Sequence, residues 1–191
     1  MTVLDALRRS AETAALLASD EAIAAAVTTV ADCCAQALAD GGKILLCGNG
    51  GSAADCQHIA GELVGRFAFD RPGLAAIALT TDASVNTAIA NDYGYEHAFA
   101  RQVQALGRPG DLLWAYSTSG NSPNVLAAIK AASDAGMTVI GLTGRRGGAM
   151  RERCHHLLAM PSDQTPHVQE CHLMVGHALC ELIERKLFGA H

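Results

Sequence analysis

A doubly wound α/β fold, with a mainly parallel five-stranded sheet flanked by helices, is what the 191-residue sequence predicts, on three observations. Short apolar runs of strand length recur five times and alternate with helical spacings, the order expected of parallel strands covered on both faces. Two of these runs end in loops that lead straight into helices, Gly48-Asn-Gly-Gly-Ser52 and Ser117-Thr-Ser-Gly-Asn-Ser122. Half of the residues are hydrophobic, enough to bury a sizeable single core. Residues 1–191 are therefore expected to form one unit, with helices in 1–40 and an α/β core over 43–187.

Residues 3–17 and 20–40 are rich in alanine and leucine at helical spacing, and Gly41-Gly42 stops the second helix. Two helices ahead of the first strand have no place in a minimal βαβ unit. Their apolar surface is expected to pack in an oligomer. Ile44 to Cys47 reads as a buried strand, Gly48, Gly50 and Gly51 permit a sharp turn, and Ser52 stands where a helix N-cap is expected. Ala76 to Leu79 is the second strand. Ser84 to Ile89 is helical, interrupted near Asn91-Asp92-Tyr93-Gly94, and helix resumes through Phe99, Val103 and Leu106. Leu112 to Tyr116 is the third strand, after which Ser122 as N-cap and Pro123 at the first helical position open a helix to about Ala135. Thr138 to Leu142 is the fourth strand and His156 to Met160 the fifth, with a short helix around Met150 between them. From Thr165 to about Leu187 one long amphipathic helix completes the core.

Charge and composition exclude several function classes. With 19 acidic against 14 basic residues and a net charge of −5, the chain has no basic run with which to grip nucleic acid. No stretch approaches the roughly 18 uninterrupted apolar residues of a membrane span, and the N-terminus lacks the pattern of a signal peptide. The seven cysteines are odd in number and form no Cys-x-x-Cys pair, so a reduced, cytoplasmic protein is expected.

Two loops at the ends of parallel strands are where open sheets place ligands. Four hydroxyls in six residues, at Ser117, Thr118, Ser119 and Ser122, can hold a phosphate monoester together with helix N–H groups and no lysine. Neither loop matches Gly-x-Gly-x-x-Gly or the nucleotide loop ending Gly-Lys-Ser/Thr, which argues against a dinucleotide or nucleoside triphosphate. His58 and Glu62, four residues apart, share a helix face and could ligate a divalent metal or act as an acid/base pair. A second polar set, Gln169, His172 and His177, lies on the last helix, and its spacing favours His177 over His172. Cys154-His155-His156 resembles a metal motif, but neighbours along a strand point in opposite directions and converge poorly on one ion. His97 and His167 have no partner that sequence can name.

Taken together, Gly48-Asn-Gly-Gly-Ser-Ala-Ala-Asp-x-Gln-His-Ile-Ala-Gly-Glu-Leu63, Asn91-Asp-Tyr-Gly94, Ser117-Thr-Ser-Gly-Asn-Ser122 and Gln169-Glu-x-His172 with His177 resemble the phosphoheptose isomerase family of the sugar isomerase (SIS) domain superfamily. The resemblance spans nearly the whole chain. It implies a cytoplasmic homotetramer with interfacial active sites and one Zn2+ per subunit on His58, Glu62, Gln169 and His177. It further implies substrate contacts at Asn49, Gly50, Gly51, Asn91, Asp92, Ser117, Thr118, Ser119, Ser122 and Gln169. The implied reaction takes sedoheptulose 7-phosphate to D-glycero-D-manno-heptose 7-phosphate, for bacterial heptose and lipopolysaccharide synthesis; the chemistry of such an enediol step assigns Glu62 as base and His177 as the acid/base on oxygen or in ring opening. Gln169 and His177 lie about 12 Å apart along an ideal helix, so sharing one ion requires inclined side chains or a ligand from a neighbouring subunit. The alternative is a non-catalytic adaptor of the same fold that binds a replication initiator protein. Such a relative lacks the residues matching Glu62 and His177, both present here. A sugar-phosphate-sensing regulatory domain would normally be fused to a DNA-binding module.

Overall fold

The computed structural model describes residues 2–189; Met1, Ala190 and His191, which the expected 1–191 unit includes, lie outside the described residues. In chain order the elements are α1 (Val3–Ala18), α2 (Glu21–Ala39), β1 (Ile44–Cys47), α3 (Gly51–Val64), β2 (Ala76–Ala78), α4 (Ala83–Tyr93), α5 (Ala98–Leu106), β3 (Leu112–Ser117), α6 (Pro123–Asp134), β4 (Thr138–Thr143), β5 (His156–Ala159) and α7 (Thr165–Phe188), with short 3-10 turns at Tyr95–His97 and Gly148–Glu152. The five strands are all parallel, in the order β2-β1-β3-β4-β5. The fold class is the one expected.

Strand periodicity sorts the core into two layers. Ile44, Leu46, Leu112, Trp114, Tyr116, Ile140 and Leu142 point to one face and pack with α2, α3 and α7. Leu45, Cys47, Leu113, Ala115 and Val139 point to the other and pack with α5 and α6. Strands buried on both faces read as continuous apolar runs, which is why Ile44–Cys47 and Leu112–Tyr116 were legible without alternation.

One local expectation needs correction and a second is met in position but not in bonding. Ser52 does not cap α3: the cap position is Gly50, whose φ of 58° lies in the region that favours glycine, and Ser52 is buried in the first turn. Ser122 occupies the cap position of α6, yet its hydroxyl makes no cap bond and faces Ser117 Oγ at 2.9 Å. The Ser122 hydroxyl thus serves the serine loop rather than the helix end.

Among the described residues α2 is the one helix long and apolar enough to cross a membrane, with a mean hydropathy of 1.5 over its best window. Its Val30, Ala31 and Cys34 are fully buried in the same core as Leu179, Cys180 and Ile183 of α7, so protein packing accounts for that face. On α1, Val3, Leu4, Leu7 and Leu16 stay more than half exposed. All seven cysteines are free, and burial pushes the thiols of Cys34, Cys47 and Cys56 well above their ordinary range.

Candidate active site

Strand order locates the site. Between β1 and β3 the chain reverses the direction in which it builds the sheet, and the crevice at the carboxyl ends of such a strand pair is where open α/β sheets bind ligands. The glycine turn follows β1 and the serine loop follows β3, so both border that crevice. They enclose a cavity of about 350 Å³ lined by Asn49, Gly50, Gly51, Ser52, Tyr116, Ser117, Thr118, Ser122, Thr165 and Gln169.

Each wall is held by its own hydrogen bonds. Asn49 and Asn124 pair through their amides, Nδ2 of each donating to Oδ1 of the other at 2.9 and 2.8 Å. Tyr95 donates its hydroxyl to Asn49 Oδ1 at 2.9 Å. In the serine loop Ser117 Oγ lies 2.9 Å from Ser122 Oγ and 3.4 Å from Ser119 Oγ, while Asn121 Oδ1 accepts from the N–H of Ala149 at 2.9 Å. These hydroxyls converge on the N-terminus of α6, a charge-free cradle for an anion.

Further along α3 and α7 lies a second group. His58 Nε2 is 2.9 Å from His177 Nε2 and 3.4 Å from Glu62 Oε1, and one donor atom from each residue falls within 4.8 Å of the others. Two ligand atoms at about 2.0 Å from a tetrahedral zinc sit roughly 3.3 Å apart. The observed spacings bracket that value, and the N, N, O donor set is one zinc accepts. The residues fit the metal. Gln169 stands eight residues earlier on α7 and lies against the glycine turn: a Cβ placed on Gly51 would come within 2.7 Å of its amide.

The structure thus brings together Asn49, Gly50, Gly51, Ser117, Thr118, Ser122 and Gln169 around one cavity, with Ser119 bonded to its wall. Asn91 and Asp92 do not join them. They sit exposed on the last turn of α4, where Asn91 Nδ2 donates to Asp92 Oδ1 at 2.8 Å. Sequence reasoning missed Asn124, Tyr95 and Thr165. Only the buried amide of Asn124 had a sequence signal, a polar residue on an otherwise apolar helix face.

Three other histidines have structural places. His172 is fully buried, edge-on to Tyr116 at 5.6 Å, and burial drives its pKa down to about 4 against a weak upward pull from the backbone of Thr143. It is a neutral core residue. His155 Nδ1 accepts the N–H of Val139 at 2.9 Å, a structural role, and His167 packs with Ser10 and Glu170.

Asp55, one turn before His58, has a buried Oδ2 without a partner among the described residues, and burial pushes its pKa up to about 6, with His58 pulling it down. A carboxyl whose folded pKa lies above its ordinary 3.8 binds more protons folded than unfolded, so this group costs stability as pH rises through that window. Asp55→Asn is expected to flatten the fall in Tm between about pH 4 and 6 relative to the parent. An unchanged slope in thermal melts across that range would assign the titration elsewhere.

Comparison with known proteins extends the picture. The sequence pattern of the SIS domain family matches residues 10–144. The phosphoheptose isomerase of Burkholderia pseudomallei (strain K96243) is 63% identical over 176 residues, covering 92% of this chain and 89% of that protein. Phosphoheptose isomerase structures from Neisseria gonorrhoeae (44% identity, TM-score 0.89, 95% of this chain and 96% of that one) and Francisella tularensis (39%, 0.91, 97% and 100%) superpose over nearly the whole fold. By its sheet order, its two strand-end loops and this likeness, the chain belongs to the SIS domain family and, within it, to the phosphoheptose isomerases, a group of sugar-phosphate isomerases.

Proposed function

We propose that this chain converts sedoheptulose 7-phosphate into D-glycero-D-manno-heptose 7-phosphate, the aldose that feeds bacterial heptose synthesis. One observation carries the reading. A hydroxyl-lined anion cradle at the start of α6 shares one cavity with the glycine turn of α3 and with Gln169 of α7, and the His/Glu/His cluster stands further along α3 and α7, with His58 about 10 Å along α3 from Gly51. That span is comparable with an extended seven-carbon chain, so the phosphate end and the reacting end of one ligand can be held at once.

Ketose-to-aldose conversion removes a proton from C1, passes through an enediol and returns a proton at C2. Glu62 is the group that takes the C1 proton and delivers it to C2, since a carboxylate alone can serve both steps over one face of the chain. His177 moves the proton between the two oxygens, with His58 against it to fix its ring. Ser117, Thr118, Ser119 and Ser122 hold the phosphate, while Asn49, the Gly50-Gly51 backbone and Gln169 orient the sugar. Asn91 and Asp92 remain proposed contacts, made by a substrate that reaches α4. Zinc on His58, Glu62, His177 and Gln169, one per subunit, would supply a Lewis acid for the carbonyl oxygen. A Glu62 engaged as ligand is a weaker base, so the two roles compete.

The same reading takes residues 1–191 as one SIS unit in a cytoplasmic homotetramer, with active sites at subunit interfaces. The exposed apolar residues of α1 support it. No observation favours the adaptor alternative, since Glu62 and His177 are both present and adjacent to His58.

Incubating the purified, metal-analysed protein with sedoheptulose 7-phosphate and following the anomeric region by NMR is expected to show aldose signals. Absence of turnover with zinc bound would sink the assignment.

A further inference from the structure

Arg71 and Glu184 form the one ion pair among the described residues in which both side chains are almost wholly buried, at 2% and 1% exposure. A buried pair is costly unless every donor and acceptor finds a partner, and here they do. Glu184 accepts the backbone N–H groups of Phe67, Ala68 and Phe69 at 2.8 to 2.9 Å and Arg71 Nε at 3.0 Å. Arg71 Nη2 donates to the carbonyl of Glu62 at 2.9 Å, and Nη1 to those of Leu63, Gly65 and Pro72 at 2.7 to 3.3 Å. Burial works against ionisation of Glu184, but the three N–H groups and Arg71 outweigh it and hold its carboxyl below the ordinary range.

The placement of this network is its most informative feature. The last carbonyls of a helix lack intrahelical partners and carry partial negative charge, and Arg71 satisfies them at the end of α3 that bears Glu62. Glu184 lies seven residues after His177 on α7, two turns along the same face. Between the two helices the clamped segment presents Phe67, whose ring stands 5.7 Å from that of His177. One buried network therefore ties together the two helices that supply the His/Glu/His cluster. A lysine could not replace the planar fork that reaches four carbonyls and a carboxylate.

We propose that Arg71 and Glu184 are positioning residues, whose clamp on the Phe67–Phe69 backbone and the end of α3 sets the approach of Glu62 to His58 and His177. The inference rests on the reading of that cluster as the reacting end of the site.

Glu184→Gln and Arg71→Lys test it, with Phe67→Leu as a variant that keeps every clamp hydrogen bond and removes only the ring beside His177. For each, kcat and KM with sedoheptulose 7-phosphate, zinc affinity by chelator competition and Tm are measured beside the parent. Expected are a fall in kcat of about tenfold or more with KM within twofold, and zinc bound about 10- to 100-fold more weakly, in Glu184→Gln and Arg71→Lys. Phe67→Leu is expected to lower kcat several-fold with little change in Tm. A merely structural clamp would lower Tm and leave kcat and zinc affinity of the folded fraction unchanged, and that result overturns the inference. Should the clamp variants not fold, Glu184→Asp, which keeps the charge but shortens the reach of the clamp, takes their place, and unchanged kcat and zinc affinity in it overturn the inference equally. A parent that does not turn over the substrate defeats the functional reading itself, which separates the two failures.

Discussion

Glu62→Gln is expected to cut turnover of sedoheptulose 7-phosphate by about 10²- to 10⁴-fold while leaving the fold and the phosphate end of the site intact. The substitution keeps the shape of a side chain that is 28% exposed and makes no buried hydrogen bond through its carboxylate to the fold. Its backbone carbonyl still receives Arg71, so Tm should move by no more than a surface substitution allows, roughly 0.5 kcal/mol in stability. The informative arm is zinc. If Glu62 acts chiefly as a ligand, excess zinc should restore much of the activity. If it is the base, metal content can be made equal to that of the parent and turnover will still be lost. Equal metal with near-parental kcat would remove Glu62 from the proton path and leave His177 as the group to examine.

The fold was legible because its signals are local and redundant. Buried parallel strands such as Leu112–Ser117 read as apolar runs, Pro123 marked the start of α6, and Gly136 marked the end of the same helix. The loops were located correctly but their hydroxyls were misassigned in detail. Ser52 and Ser122 carry the side chain of a helix cap, and nothing in a linear sequence reveals that Gly50 turns the chain two residues earlier or that Ser117 stands opposite Ser122. The preference for His177 over His172 came from spacing and agrees with their environments: one is beside His58, the other buried without a charge to balance. What stayed hidden depends on long-range pairing. Asn49 with Asn124 and Arg71 with Glu184 join positions 75 and 113 residues apart, each pairing a loop residue with a helix residue that alone carries no signal of its partner.

Gly120→Ala tests the opposite end of the site from Glu62→Gln, and its effect should fall on stability and on KM. Gly120 adopts φ 68°, and a Cβ there would stand 2.0 Å from the carbonyl oxygen of Gly147 and 2.9 Å from the nitrogen of Gly148. The obstacle is backbone, so no rotamer change relieves it. The left-handed conformation and the forced displacement each cost about 1 to 3 kcal/mol, and together they should lower Tm by roughly 10 °C for a chain of this size. Relief requires the serine loop to move away from the Gly147-Gly148 segment, which breaks the bond from Met150 N–H to the Gly120 carbonyl and shifts Ser119 against Asn121. The hydroxyls of Ser117, Ser119 and Ser122 then no longer converge on the start of α6. Affinity for the phosphate should suffer by about tenfold or more in KM, since a single lost charge-assisted hydrogen bond is worth about 1.5 to 3 kcal/mol. The His58, Glu62 and His177 cluster lies on other elements, so kcat of the folded fraction should fall far less than in Glu62→Gln. A KM within twofold of the parent in a variant with the expected loss of Tm would show that the serine loop is a packing feature, and would move the phosphate to the glycine turn after β1.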